Sequence, residues 1–335
     1  MTEQSRKHLP DQTLDSPQKP LKIARTEEED QQSEQNMSQN PRLQRYLVAI
    51  EYIGTRFSGS QQQPNCRTAV GVLEEAFRKF IGQSVSVFCS SRTDAGVHAL
   101  SNVCHVDVER ISKRKPGEVL PPHEPAVVKR AVNHFLQKNE GDIMVIDVRS
   151  VPSNFHARYN ARERTYFYRM LSGPEPLSTF EKDRAWHVPE ELDVLAMQEA
   201  CKILVGYHDF SSFRAAGCQA NSPIRTLDEI RVNEVATSFF SAPMEMEHNN
   251  IICEEIDTCL RRPGTDLTSP NGDRIKNSKV GLNQEFSIRK RHRCYVVTAR
   301  ARSFLYHQVR LLVGVLKCVG TGELTASDDA FIMKH

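Results

Sequence analysis

The sequence predicts an α+β protein made of two ferredoxin- or RNA-recognition-like halves sharing a largely antiparallel sheet, with helices on one face. Two observations carry this reading. Residues 45–150 run strand, helix, strand, strand, helix, strand, and the chain from residue 151 onward starts the same order again. A third sets the scale: 335 residues, 39% hydrophobic and 26% charged, amount to about two core-forming units at ~150 residues each.

In the first half, Arg45 to Tyr52 alternates as a strand does, with Tyr46, Val48, Ile50 and Tyr52 on one face. After a Gly-containing turn, Leu73, Ala76, Phe77 and Phe80 recur at helical spacing, and Thr68 stands where an N-cap belongs. Val85 to Cys89 and Asn102 to Val108 are β-rich runs. A second helical stripe, Val128, Ala131, Val132 and Phe135, precedes a closing strand from Ile143 to Val148.

The second half spans residues 151–335. It offers strands over Arg164–Leu171, Leu227–Val235 and Arg293–Ala301, and helices over Glu190–Leu204 and Phe304–Val319. Residues 241–284 are polar, carry Asn-Gly and Pro-Gly signals, and read as a flexible insert between paired strands. By analogy with the first half, one more strand is expected after the last helix. The sequence ends at His335 with only a short apolar stub, Phe331-Ile332-Met333, so that strand appears to be missing. Residues 1–40 have no aromatic side chain and too little apolar surface to offset the entropy of ordering, which predicts a disordered tail.

That tail holds five basic and eight acidic residues, so 39 basic and 34 acidic groups remain for the folded part. Their placement matters more than their balance. Between Phe286 and Gly322 there is no Asp or Glu, while Arg289, Lys290, Arg291, Arg293, Arg300, Arg302, Arg310 and Lys317 all fall there. A second cluster, Arg149, Arg158, Arg162, Arg164 and Arg169, is broken only by Glu163. Single charge runs are usually solvated faces. Two Arg clusters interleaved with Tyr and Phe point instead to a polyanion, since binding phosphates releases their counterions.

Nine cysteines are scattered with no Cys-x-x-Cys, which suits reduced thiols in an intracellular protein and leaves no structural zinc framework. No stretch nears the ~20 apolar residues of a membrane span. The acidic run Glu27–Asp30 is unlike a mitochondrial presequence, so cytoplasm or nucleus is the expected compartment, with the mitochondrion still open.

An Asp in Thr93-Asp94-Ala95-Gly96 is ordinarily a turn former. Twelve residues join Cys89 to Asn102, however, far more than a hairpin needs, and overlong loops on rigid strands are where sites sit. Arg310 is flanked by Val309, Leu311, Leu312 and Val313, which predicts a guanidinium embedded in an apolar helix and in need of an anionic partner. Tyr166 and Tyr168 share a strand face with Arg164, an arrangement that suits either core packing or base stacking.

The stretch Ser90-Ser91-Arg92-Thr93-Asp94-Ala95-Gly96-Val97-His98-Ala99 resembles the signature loop of the tRNA pseudouridine synthase A (TruA) family. Four further blocks match in the same order: Tyr52-x-Gly54-x-x-Phe57-x-Gly59-x-Gln61-x-Gln63; Phe155-His156-Ala157-Arg158 with Arg164-Thr165-Tyr166-Phe167-Tyr168; Gly206-x-His208-Asp209-Phe210-Ser211-Ser212-Phe213; and Ser303 to Arg310 followed by Gly314. The resemblance implies an isomerase that converts uridine to pseudouridine in tRNA, without cofactor or metal, with a homodimer as one assembly. It makes Asp94 the nucleophile, pairs Arg310 with it, and has Tyr166 stack on the target base and accept a proton. Arg92, Arg158, Arg164 and Arg302 are the residues it implies for RNA binding. Ser60, Ser91 and Gln308 stand where many members have Trp, Gly and Met, features that resemble a pseudouridine-synthase-like eukaryotic branch. A non-catalytic RNA-binding protein that keeps the fold is the alternative. A zinc deaminase would need a His-x-Glu…Cys-x-x-Cys pattern that the sequence lacks.

Overall fold

The computed structural model describes residues 42–115, 117–138, 140–235 and 292–325. The tail of residues 1–40, the insert 241–284 and the place of any strand beyond residue 325 lie outside the described residues. The first half contains β1 (Gln44–Tyr52), α1 (Ala69–Ile81), β2 (Val87–Cys89), β3 (Ala99–Val108), α2 (Pro125–Gln137) and β4 (Ile143–Val151). Its sheet has the order β2-β3-β1-β4, antiparallel throughout, as a split βαβ unit requires. Thr68 accepts a hydrogen bond from the Gly71 N–H, and α1 stops at Gly82, which takes the left-handed φ of 89° that glycine tolerates.

The second half contains β5 (Arg164–Ser172), β6 (Trp186–Val188), α3 (Val194–Leu204), β7 (Gly206–Asp209), β8 (Ile224–Leu227), β9 (Glu229–Val235), β10 (Arg293–Ala301) and α4 (Gln308–Gly320). The sheet order is β6-β5-β10-β9, and β7-β8 form a separate two-stranded ribbon. The expectation of one shared sheet is corrected here. Among the described residues the backbone ladders form two four-stranded sheets, and the halves meet through side chains and loops at the candidate site. Strand β6 was not foreseen. Three residues carry no readable period, yet they pair in parallel with the end of β5.

Each sheet packs one face on its two helices. Tyr46, Val48, Ile50, Val106 and Val145 meet Leu73, Phe77, Val132 and Leu136 in the first half. Tyr295, Val297 and Ala299 meet Met197, Leu204, Leu312 and Leu316 in the second. Burial of such side chains contributes roughly 1.5–3 kcal/mol each and is the main driving force of both halves.

Part of the opposite face of the first sheet is also covered, and there it is polar. Arg45 and Asp107 are cross-strand partners whose buried side chains make two hydrogen bonds, of 2.7 and 2.6 Å. Arg45 also donates to the Phe155 carbonyl at 2.7 Å, and buried His105 accepts the Ala157 N–H at its Nδ1 (3.2 Å). The segment 155–157 is thereby fastened to the sheet. Burial first, and then the Arg45 guanidinium, push His105 down to about 3.

The unfolded chain would hold that proton up to about pH 6.5. Between the two values the unfolded state binds the extra proton, so stability is complete above about pH 6.5 and is lost as pH falls toward 3. His105→Asn retains an acceptor near the Nδ1 position and removes the titration. In urea melts between pH 6.5 and 4.5, the variant is expected to lose roughly 2 kcal/mol less stability than the parent. Equal losses would show that His105 is not held neutral.

Candidate active site

The loop after β2 is held from both sides. Its first half rests on the 52–60 segment. The Tyr52 and Thr93 hydroxyls bond at 2.8 Å, the Thr93 N–H donates to Ser60 Oγ at 2.8 Å, and the Ser60 N–H donates to the Thr93 carbonyl at 3.0 Å. Asn102, across on β3, donates to Tyr52 Oη (3.3 Å) and the Ser91 carbonyl (3.1 Å). Burial raises the Tyr52 hydroxyl above its usual range, so it stays a neutral donor.

Two glycines allow this close fit. A Cβ on Gly59 would stand 2.8 Å from the Thr93 carbonyl, and one on Gly54 only 1.9 Å from the Val97 carbonyl. Gly54 N–H also donates to His98 Nδ1 (3.1 Å), so His98 Nε2 carries the proton it gives to the Asp183 carbonyl at 2.9 Å. Asp183 follows Glu181, a buried carboxylate gripped by Arg169 at 2.8 and 3.1 Å. His98 therefore links the end of the loop to the second half.

Asp94 is about one-third exposed, and its Oδ2 lies 3.2 Å from His307 Nε2. His307 sits just before α4 with φ 60°, a left-handed conformation that is uncommon for a residue with a side chain, and its ring stacks on Tyr306 at 3.9 Å. That backbone turn ends the expected continuation of the helix and directs the imidazole at Asp94. The expectation that Arg310 is buried in its helix is corrected. Arg310 is exposed on the first turn of α4, and it is the His307 imidazole that lies 3.2 Å from the Asp94 carboxylate. Arg310 does line the same cleft as Asp94.

Tyr166 bonds the Ser91 hydroxyl at 2.8 Å and meets Phe304 edge-on at 5.2 Å, so its ring stands next to the loop and half open. Arg164 departs from a purely RNA-facing role. Its guanidinium donates to the Ser90 carbonyl at 2.6 Å, to the Arg158 carbonyl at 3.3 Å and to the Arg302 carbonyl. It ties three segments together, and burial lowers its basicity from the usual range. Arg92 and Arg158 line the cleft, Arg92 exposed and Arg158 half-buried. The Arg302 side chain is exposed but does not belong to the cleft lining.

The cleft that contains Asp94, Tyr166 and Arg310 is open and has a volume of about 2990 Å³. Small-molecule pockets run to ~300–1,000 Å³, so this one is sized for a macromolecule. A carboxylate, an imidazole beside it, an aromatic ring and arginines in one such cleft can hold a nucleotide and attack it. Ser60, Ser91 and Gln308, the positions that depart from the family pattern, each make a hydrogen bond at this site; Gln308 accepts the Leu305 N–H at 2.8 Å. Sequence reasoning missed the bracing roles of Tyr52, Ser60 and Asn102 and the placement of His307. For His307 the only signal was its position in the Ser303–Arg310 block.

A family model described as tRNA pseudouridine synthase matches residues 48–160 and 200–335. The tRNA pseudouridine synthase A of Rhodospirillum centenum is 36% identical over 286 residues, covering 85% of this chain and 88% of that protein. That of Parvibaculum lavamentivorans is 35% identical over 283 residues, covering 84% and 87%. That of Rhodospirillum rubrum is 37% identical over 282 residues, covering 84% and 76%.

Proposed function

The chain belongs to the tRNA pseudouridine synthase family, and from that premise we propose that it isomerises uridines in tRNA with Asp94 as nucleophile. The observation that supports this most is the Asp94 carboxylate, held over a macromolecule-sized cleft by a loop braced from both halves. The target uridine leaves its stack and enters beside Tyr166, at a cost of a few kcal/mol that stacking and Arg contacts offset. Asp94 attacks the sugar or the uracil ring, and the bond between N1 and C1′ breaks. The base turns and C5 forms a new bond to C1′. The bond made by Asp94 breaks and its electron pair returns to the carboxylate, either at C1′ as C5 takes its place or at the uracil ring once the new bond is made. The C5 proton is then lost, with Tyr166 as its acceptor or relay, and N1 gains a proton. No net redox change or energy source is needed.

Asp94 must be ionised to act. His307 at 3.2 Å fixes the carboxylate in the free protein, and Arg310, from one turn further along α4, supplies a permanent positive charge to the loaded cleft. Arg92 and Arg158 meet the nucleotide and its phosphates, while Arg164 positions the loop rather than the RNA. We assign the chain to the pseudouridine-synthase-like eukaryotic branch on Ser60, Ser91 and Gln308, and to a homodimer on the family resemblance. We further place it inside the cell, in cytoplasm or nucleus with the mitochondrion still open, on the scattered cysteines of the sequence.

The test is tritium release from tRNA labelled at uridine C5. The expected result is stoichiometric release with pseudouridine appearing at discrete positions. Tight tRNA binding without release would favour a non-catalytic RNA-binding protein instead.

A further inference from the structure

A row of aromatic rings runs from the cover of the first sheet to the cleft. Phe88 on β2 stacks on His105 on β3, with centroids 5.1 Å apart and planes 17° apart. His156 meets His105 edge-on at 4.7 Å, and Tyr159 lies on His156 at 4.2 Å with an interplanar angle of 31°. Phe88, His156, Arg158 and Tyr159 line the same cleft as Asp94. Tyr159 is 56% exposed although one face is covered, so its other face is offered to solvent.

The ring is held rather than loose. His156 Nδ1 accepts the N–H groups of Arg158 (3.1 Å) and Tyr159 (3.2 Å), and Asn160 Oδ1 accepts the His156 N–H at 2.7 Å. Ala157 N–H and the Phe155 carbonyl are pinned to the sheet by His105 and Arg45. Arg164 Nη2 bonds both the Arg158 and Ser90 carbonyls, which fastens this turn to the base of the Asp94 loop. A fixed, half-covered aromatic ring beside an arginine has already met the ordering cost that stacking imposes. Every nucleobase presents a π-face, so such a ring accepts bases with little regard to sequence.

We propose that Tyr159, seated on His156, is a second stacking site that takes an unpaired nucleobase flanking the target uridine. It rests on the tRNA reading above and adds to it a contact that does no chemistry. The site explains how a substrate strand can be held open on both sides of the extruded nucleotide: the target beside Tyr166, a neighbour on Tyr159.

The test uses the full-length protein, Tyr159→Ala and Tyr159→Phe, and tRNA transcripts with a single abasic residue at each unpaired nucleotide near the mapped target. Tyr159→Ala is expected to weaken binding of intact tRNA between about 5- and 100-fold. KM should rise in step while kcat stays within about twofold, and Tyr159→Phe should restore both. At one flanking position the abasic tRNA should bind the parent less tightly by a similar factor, yet bind Tyr159→Ala no worse than intact tRNA does. Unchanged binding by Tyr159→Ala overturns the proposal. So do losses that multiply at every abasic position, because they would mean that no single base meets this ring. The parent's tritium release separates the two claims. A parent that releases tritium while Tyr159→Ala binds normally refutes only the stacking site. A parent without release refutes the synthase reading, while the abasic coupling still decides the stacking site.

Discussion

Asp94→Ala is expected to lower tritium release from C5-labelled tRNA at least ~10³-fold while leaving tRNA affinity within about threefold. Removal of the attacking group takes away a covalent step that no neighbour can supply. His307, 3.2 Å from the carboxylate, and Tyr166, which reaches the loop from β5 through Ser91, do not replace it as a nucleophile on this scaffold. Affinity should persist because Arg92, Arg158 and Tyr166 line the cleft independently of residue 94. Single-turnover release and filter binding on the same preparations separate the two quantities. Release near the parent's rate would remove Asp94 from the chemistry.

Gly54→Ala should come next in effect, though residue 54 does no chemistry. The new methyl would stand 1.9 Å from the Val97 carbonyl oxygen and 2.4 Å from its carbon, both backbone atoms. Neither can rotate away, so the 94–98 stretch must shift by an ångström or more. The Gly54 N–H bond to His98, and with it the contact to Asp183, is disturbed at the same time. A misplacement of that size costs about 10²-fold in turnover. Overpacking should also lower stability by roughly 1–3 kcal/mol. Measured kcat and a urea melt check both, and parent-like turnover would mean that the loop is not positioned by this contact.

Much of this arrangement was legible before any coordinates. Strand β10 matches its expected limits, with Tyr295, Val297, Ala299 and Ala301 recurring on the core face, and Thr68 caps α1 as its position suggested. The Asp94 loop stood out through its length. Other features had no local signal. Two sheets rather than one follow from long-range ladders that periodicity does not encode. The helix expected from Phe304 begins at Gln308 because His307 turns into the left-handed region, which nothing in a His predicts.

Arg310 shows the same limit from the other side. Its neighbours are apolar, but Leu311 remains 37% exposed, so an apolar run did not mean a buried helix on that side. His307, which no local pattern marks, supplies the side chain that lies 3.2 Å from Asp94. Arg164, which the resemblance implies for RNA binding, has three carbonyls on its guanidinium, contacts that no sequence pattern signals.

The most direct measurement is a structure of the full-length protein bound to a tRNA whose target uridine carries a non-reacting analogue. The nucleotide should be swung out of its stack into the cleft, with Tyr166 against the base and C1′ or the uracil ring within ~3.5 Å of an Asp94 carboxylate oxygen. A target nucleotide that stays stacked in the RNA, with Asp94 turned to solvent or still closed on His307, would contradict the account.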